Sequence, residues 1–188
     1  MQIDLSKHHG LGNDFLVINV AQANSSFAWP DLAQRWCDRR FGVGADGLLL
    51  LEIKDGNRLG MILYNAYGSR AEMSGNGIRC LVQAAHRTLA GPEGKPATYT
   101  VDTDAGERTV SVESDWADGE LHISVDMGRV SDLTEPHNWD ALGCNPDRPV
   151  RHVSMGNPHS VVGVDDVAAV DLAELGQKVP HVNLEIIE

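Results

Sequence analysis

Residues 65–90 constrain this chain more than any other stretch, because they read as strand end, turn, glycine-rich loop and then one good helix. From Ile78 the apolar side chains fall at Ile78, Leu81, Val82, Ala85 and Leu89, spacings of 3, 4, 7 and 11 that put them on one helical face. Gly91-Pro92 is the stop signal, a glycine after the last turn followed by proline. At the front, Ser74-Gly75-Asn76-Gly77 leaves backbone N–H groups at a helix N-terminus with no bulky side chain over them. Such an end receives a carboxylate or a phosphate.

The segments before this helix are strands and turns. Residues 3–7 alternate like a short strand, and His8-His9-Gly10-Leu11-Gly12-Asn13-Asp14-Phe15 reads as a loop where two glycines let a ligand approach the backbone. A strand follows over 15–20, then a helix over 30–40 that starts at Pro30 and ends in Arg39-Arg40. A second glycine loop, Gly42-Val43-Gly44-Ala45-Asp46-Gly47, runs into strand 48–53, apolar except at Glu52 and read as buried. Strand 59–64 leads back to the central loop. The first ninety residues are thus a strand-rich sheet wrapped on one apolar helix.

Beyond it the pattern is mostly β. Residues 97–103, 107–113 and 120–126 alternate well and are joined by short turns at 104–106 and 115–119. Residues 131–149, with Pro136, Asn138, Gly143, Asn145-Pro146 and Pro149, form an irregular connector, and a domain boundary is expected near 120, giving domains 1–120 and 121–188. Strands at 151–154 and 160–164 flank a turn, Met155-Gly156-Asn157-Pro158-His159, and a short helix at 171–177 precedes a strand at 182–187.

Composition narrows the function classes. A formal net charge of −12 argues against a nucleic-acid partner. Cys37, Cys80 and Cys144 are too few and unpatterned for a disulfide framework, no apolar run approaches a membrane span, and the N-terminus lacks a signal-peptide pattern. A reducing cytoplasm is the expected compartment.

Four polar loops stand at strand ends: 9–15, 42–47, 65–77 and 156–159. A single glycine loop is most often only a turn, and none of these fits a dinucleotide fingerprint or a phosphate P-loop. His159 taken alone reads as a turn histidine, and Asn13, Asn65, Asn76, Asn157 and Asn183 as turn formers. The same five amides are also what a site needs to hold the charged ends of an amino acid without titrating.

Taken together, His9-Gly10-Leu11-Gly12-Asn13-Asp14-Phe15, Gly42-Val43-Gly44-Ala45-Asp46, Asn65-Ala66-Tyr67-Gly68-Ser69 leading to Ser74-Gly75-Asn76-Gly77, and Met155-Gly156-Asn157-Pro158-His159 resemble diaminopimelate epimerase, in that family's order and approximate spacing. The resemblance implies an α/β fold of the α+β type, with two similar domains, each a mixed sheet curled around a central helix. It implies a cofactor-independent epimerase that interconverts LL- and meso-diaminopimelate by α-proton abstraction and reprotonation. Asn13, Asn65, Gly75, Asn76, Asn157 and Asn183 are implied to bind substrate, and Ser74 and His159 to stand at catalytic positions. No cofactor and no metal are implied, and Lys7, Lys54, Lys95 and Lys178 lie in no motif that would suggest pyridoxal phosphate. The partner is a small-molecule substrate, and a homodimer is possible. The alternatives are a non-catalytic amino-acid-binding homologue and another racemase or isomerase of the same fold.

Two departures bear on activity. Ser74 stands where the family has its first catalytic cysteine, and a serine hydroxyl is far less acidic than a thiol near pKa ~8.5. Cys80 lies six residues further along the helix, ~9 Å down its axis, and is no obvious substitute. The family also continues past the Asn183 strand into a second cysteine loop and the central helix of its second domain. The second domain is therefore expected to be incomplete here, the isolated chain inactive and inclined to aggregate through exposed apolar sheet.

Overall fold

The computed structural model describes residues 3–23, 27–89, 95–113 and 121–188, so the Gly91-Pro92 stop and the turn expected at 115–119 lie outside the described residues. Among them run β1 (Ser6–Gly10), β2 (Asn13–Asn19), α1 (Trp29–Cys37), β3 (Gly47–Ile53), β4 (Arg58–Asn65), β5 (Arg70–Ala71) and α2 (Gly75–Leu89). The chain continues with β6 (Ala97–Thr103), β7 (Gly106–Val112), β8 (Ile123–Val125), β9 (Ser131–Asp132), β10 (Val150–Ser154), β11 (Pro158–Gly163), α3 (Leu172–Lys178) and β12 (Asn183–Ile187). The class is mixed α+β, and two compact units separate, Met1–Met127 and Gly128–Glu188. None of the described helices is long and apolar enough to cross a membrane.

The first unit is one mixed sheet in the order β1-β2-β3-β4-β6-β7-β8, with β5 added to β4. β2 and β3 run parallel, as do β4 and β6, and the other pairs are antiparallel. Side-chain alternation explains why β3 is apolar on both faces from Leu48 to Leu51. Leu49 and Leu51 pack with Phe15, Val17 and Met61 against Ile78, Leu81, Val82 and Ala85 of α2. Leu48 and Leu50 face the other way, with Leu16 and Ile18, onto Ala33 and Cys37 of α1. The sheet is therefore covered on both faces.

Three expectations need correction. Leu89 was placed on the apolar face of α2, yet it is 45% exposed. The segment from His8 to Asn13 is not an open loop: His8, His9 and Gly10 pair in β1 with Phe15, Asp14 and Asn13. Only Leu11 and Gly12 turn, with φ of 55° and 86°. Positive φ at both centres is what a two-residue hairpin requires, and it matches the twist of the strands. Finally, β11 begins at Pro158, so His159 is a strand residue held in a ladder opposite Val153, rather than a turn histidine.

The second unit is a four-stranded sheet in the order β12-β11-β10-β9, parallel between β11 and β12 and antiparallel elsewhere. Trp139, Val162 and Val179 form its small core, with Leu142, Val150 and Leu184 packed around them. α3 is capped by Asp171, whose carboxylate accepts the Glu174 N–H at 2.9 Å. The connector before β10 contributes a single 3₁₀ turn, Trp139–Leu142.

Candidate active site

The front of α2 is built by Ser74. Its Oγ accepts the Gly77 N–H at 3.0 Å and its carbonyl accepts the Ile78 N–H at 2.9 Å, the pattern of an N-cap residue. A Cβ at Gly77 would lie 3.1 Å from Ser74 Cβ, a contact tight enough that the cap would have to shift by a few tenths of an ångström. The Gly75 and Asn76 N–H groups stand outside the helical ladder, at the positive end of the helix dipole.

Asn13 and Asn76 meet across this end: Asn76 Nδ2 donates to Asn13 Oδ1 at 3.3 Å. Arg79, one turn along α2, donates to Asn76 Oδ1. Asn13 Nδ2 donates to Asp46 Oδ2 at 2.8 Å, and the Asp14 N–H donates to the same oxygen at 3.0 Å. Arg39 ties the two carboxylates together, at 2.6 Å to Asp14 and 2.8 Å to Asp46, and Lys7 reaches Asp14 at 3.0 Å. The bonds from Arg39 outweigh burial and hold the Asp14 carboxyl well below the usual carboxylate range. Asn65 lies at the end of β4, and its Nδ2 donates to Ser69 Oγ at 2.9 Å. The next residue, Ala66, gives its N–H to the Asp46 carbonyl at 3.1 Å, so Asp46 joins the loops that carry Asn13 and Asn65.

The second unit assembles a separate polar group. His159 Nδ1 lies 2.6 Å from Glu185 Oε1 and its Nε2 lies 2.9 Å from Asn157 Oδ1. Asn183 stands opposite His159 in the parallel ladder, and its Nδ2 donates to the Pro158 carbonyl at 3.0 Å. Both ring nitrogens of His159 thus face oxygens, Nδ1 a carboxylate and Nε2 a side-chain amide oxygen.

Sequence reasoning missed Asp46, Arg79 and Glu185 as members of these groups. Asp46 lies inside a quoted motif but carried no role, and Glu185 had a usable signal: it alternates with Asn183 on one face of a strand. The thiols stand apart. Burial pushes Cys37 and Cys80 up to about 11, which leaves neither as a useful base near neutrality.

The model of the diaminopimelate epimerase family matches residues 5–133. The chain belongs to that family. Its relatives include the diaminopimelate epimerase of Thermosynechococcus vestitus, 40% identical over 96% of this chain and 66% of that protein. That of Synechocystis sp. is also 40% identical, over 96% of this chain and 67% of the relative. This member of the epimerase family thus spans about two thirds of the length of the curated relatives it matches. Its fold resembles a predicted epimerase from Pseudomonas aeruginosa, with a TM-score of 0.68 at 16% identity over 100% of this chain and 68% of the other. A probable proline racemase from Agrobacterium radiobacter, with bound carbonate, gives 0.61 at 15% identity over 90% and 54%. Those likenesses show a common fold.

Proposed function

We propose that this chain serves a cofactor-independent epimerase that interconverts LL- and meso-diaminopimelate. The observation that carries the reading is the family membership joined to an intact helix end, Ser74-Gly75-Asn76-Gly77, with Asn13 bonded to Asn76 beside it. The α-hydrogen of an amino acid is far less acidic than any side chain, so its removal needs preorganised donors that meet the charge left on the molecule. In this reading Asn13, Asn65, Gly75, Asn76, Asn157 and Asn183 are the substrate-binding residues. His159, steadied by Glu185, supports proton movement. The C–H bond breaks with its electron pair left on carbon, and a proton returns on the opposite face. A homodimer, a cytoplasmic location and the absence of a nucleic-acid partner belong to the same proposal.

Ser74 supports a second reading, an amino-acid-binding member of the family that does not turn its ligand over. Its Oγ already accepts an N–H, and a hydroxyl is not appreciably ionised at neutral pH. Exchange of the diaminopimelate α-hydrogen in D₂O separates the two, measured on the chain and on Ser74→Cys. Deuterium incorporation with Ser74 excludes the binding-only reading. Binding without exchange in the chain, with exchange restored in Ser74→Cys, favours it. No binding in either sinks the functional reading.

A further inference from the structure

Two carboxamides of the proposed site lie between two opposite charges, and those charges dictate which way both amides face. An ionised carboxylate only accepts hydrogen bonds, so the group that Asn13 turns to Asp46 must be its nitrogen, as found at 2.8 Å. A guanidinium only donates, so the group that Asn76 turns to Arg79 must be its oxygen. One polarity then remains for the middle link, Asn76 Nδ2 to Asn13 Oδ1, and the observed bond at 3.3 Å has that polarity. Turning over either amide would set oxygen against carboxylate or nitrogen against guanidinium.

Asp46 is itself fixed. Its Oδ1 accepts from Arg39 at 2.8 Å, while Oδ2 takes the Asp14 N–H at 3.0 Å in addition to Asn13. Arg39 is anchored in turn by Asp14, and Asp14 by Lys7, whose ammonium also donates to the Gly44 carbonyl at 2.6 Å. The Asp46 end therefore belongs to the fold and needs no ligand to set it, while Arg79 is carried by α2 itself, three residues from the amide it holds.

We infer that Asp46 and Arg79 are positioning residues that impose one orientation on the Asn13–Asn76 pair. Each amide then keeps one N–H for a substrate carboxylate, an inference whose ligand arm rests on the function proposed above. A lone asparagine in solution turns over freely and presents oxygen as often as nitrogen; an oxygen would repel the carboxylate. The two ends remove that choice before the ligand arrives, which is how preorganisation raises affinity.

The side-chain amide signals of Asn13 and Asn76 in the ¹⁵N-labelled, ligand-free chain test the relay. Asp46→Asn substitutes a group that donates as well as accepts, and Arg79→Gln does the same at the other end. Each variant is expected to shift the signals of both asparagines and to speed exchange of their N–H protons about tenfold, the scale of one lost hydrogen bond. The backbone spectrum of β3, β4 and β6 serves as the fold control, and Arg79→Gln, on the helix surface, keeps the question open to test if Asp46→Asn fails to fold. A response confined to the neighbouring asparagine in both variants overturns the relay. Titration with meso-diaminopimelate then reads its use: Kd is expected to rise about tenfold in each variant, and an unchanged Kd overturns the positioning role. An unchanged chain that binds no diaminopimelate refutes the function proposed above, while the ligand-free spectra still decide the relay.

Discussion

Ser74 shows what one atom changes. As an N-cap its hydroxyl satisfies the Gly77 N–H, so Ser74→Ala is expected to cost about 1 kcal/mol, with Ser74→Gly costing only a few tenths. Urea unfolding followed by circular dichroism measures both. Ser74→Cys sets a thiol at the same helix end, where thiol pKa values fall to roughly 3.5–7.5. Limited alkylation with iodoacetamide at pH 7, read by mass spectrometry, should label that thiol well ahead of Cys37 and Cys80, both buried and pushed up to about 11. Equal labelling of all three would show that the helix end does not acidify it. Asp14 offers a pH test. Its carboxyl is held below its ordinary range chiefly by Arg39, so the ion pair stabilises the fold above the unfolded-state pKa of about 4 and loses its effect as pH falls through the folded value. Arg39→Met should therefore be less stable than the parent at pH 7, with the gap closing below about pH 4. A gap that stays constant down to pH 2 would refute the linkage. The motifs named Asn13, Asn76 and Asp46 in the sequence, but not that a carboxylate and a guanidinium bracket the two amides. Asp46 and Arg79 are 33 residues apart, and no local pattern reports such a meeting.

At the level of elements, periodicity was a good guide where one face alone is buried. α2 buries Ile78, Leu81, Val82 and Ala85 as their spacing implies, and fails at Leu89, because a spacing rule reports which residues share a face and not what covers it. Leu81→Ala should cost about 2–5 kcal/mol, since the side chain is fully buried among β-sheet residues. Leu89→Ala should stay within about 0.5 kcal/mol. Thermal unfolding of the two variants compares them directly, and similar losses would contradict the packing described. The β1–β2 hairpin was illegible for a different reason. Leu11 occupies a left-handed conformation that a leucine rarely adopts, so Leu11-Gly12 carries no ordinary two-residue turn signal, and His8 to Gly10 read as loop. The run Leu48 to Leu51 was legible as a buried strand, yet its two-sided burial became clear only with α1 and α2 on opposite faces of the sheet.

For the whole molecule, the strand-rich sheet around one helix was legible in the first ninety residues, because glycine loops and strand alternation mark most of that path, the β1–β2 hairpin excepted. The second unit was harder to read. Its buried apolar residues are Trp139, Val153, Val162 and Val179, and so few leave a weak pattern. The division into domains 1–120 and 121–188 remains a proposal, and β8 is the element on which it turns. Val110, Ser111 and Val112 of β7 pair with Val125, Ser124 and Ile123, and Leu121, Ile123 and Val125 pack on the core beneath α2. A fragment ending at 120 loses that strand and leaves the outer edge of β7 unpaired, with the apolar surface behind it open to water. A fragment ending at 127 keeps both. Purified side by side, the 1–127 fragment is expected to unfold cooperatively at a Tm at least several degrees above that of 1–120, since about 1 kcal/mol moves Tm by roughly 4–8 °C in a domain near this size. Equal Tm values would show that β8 contributes nothing to the first domain and would support a boundary at 120. A clear deficit in the shorter fragment would place β8 in the first domain and the boundary beyond Val125.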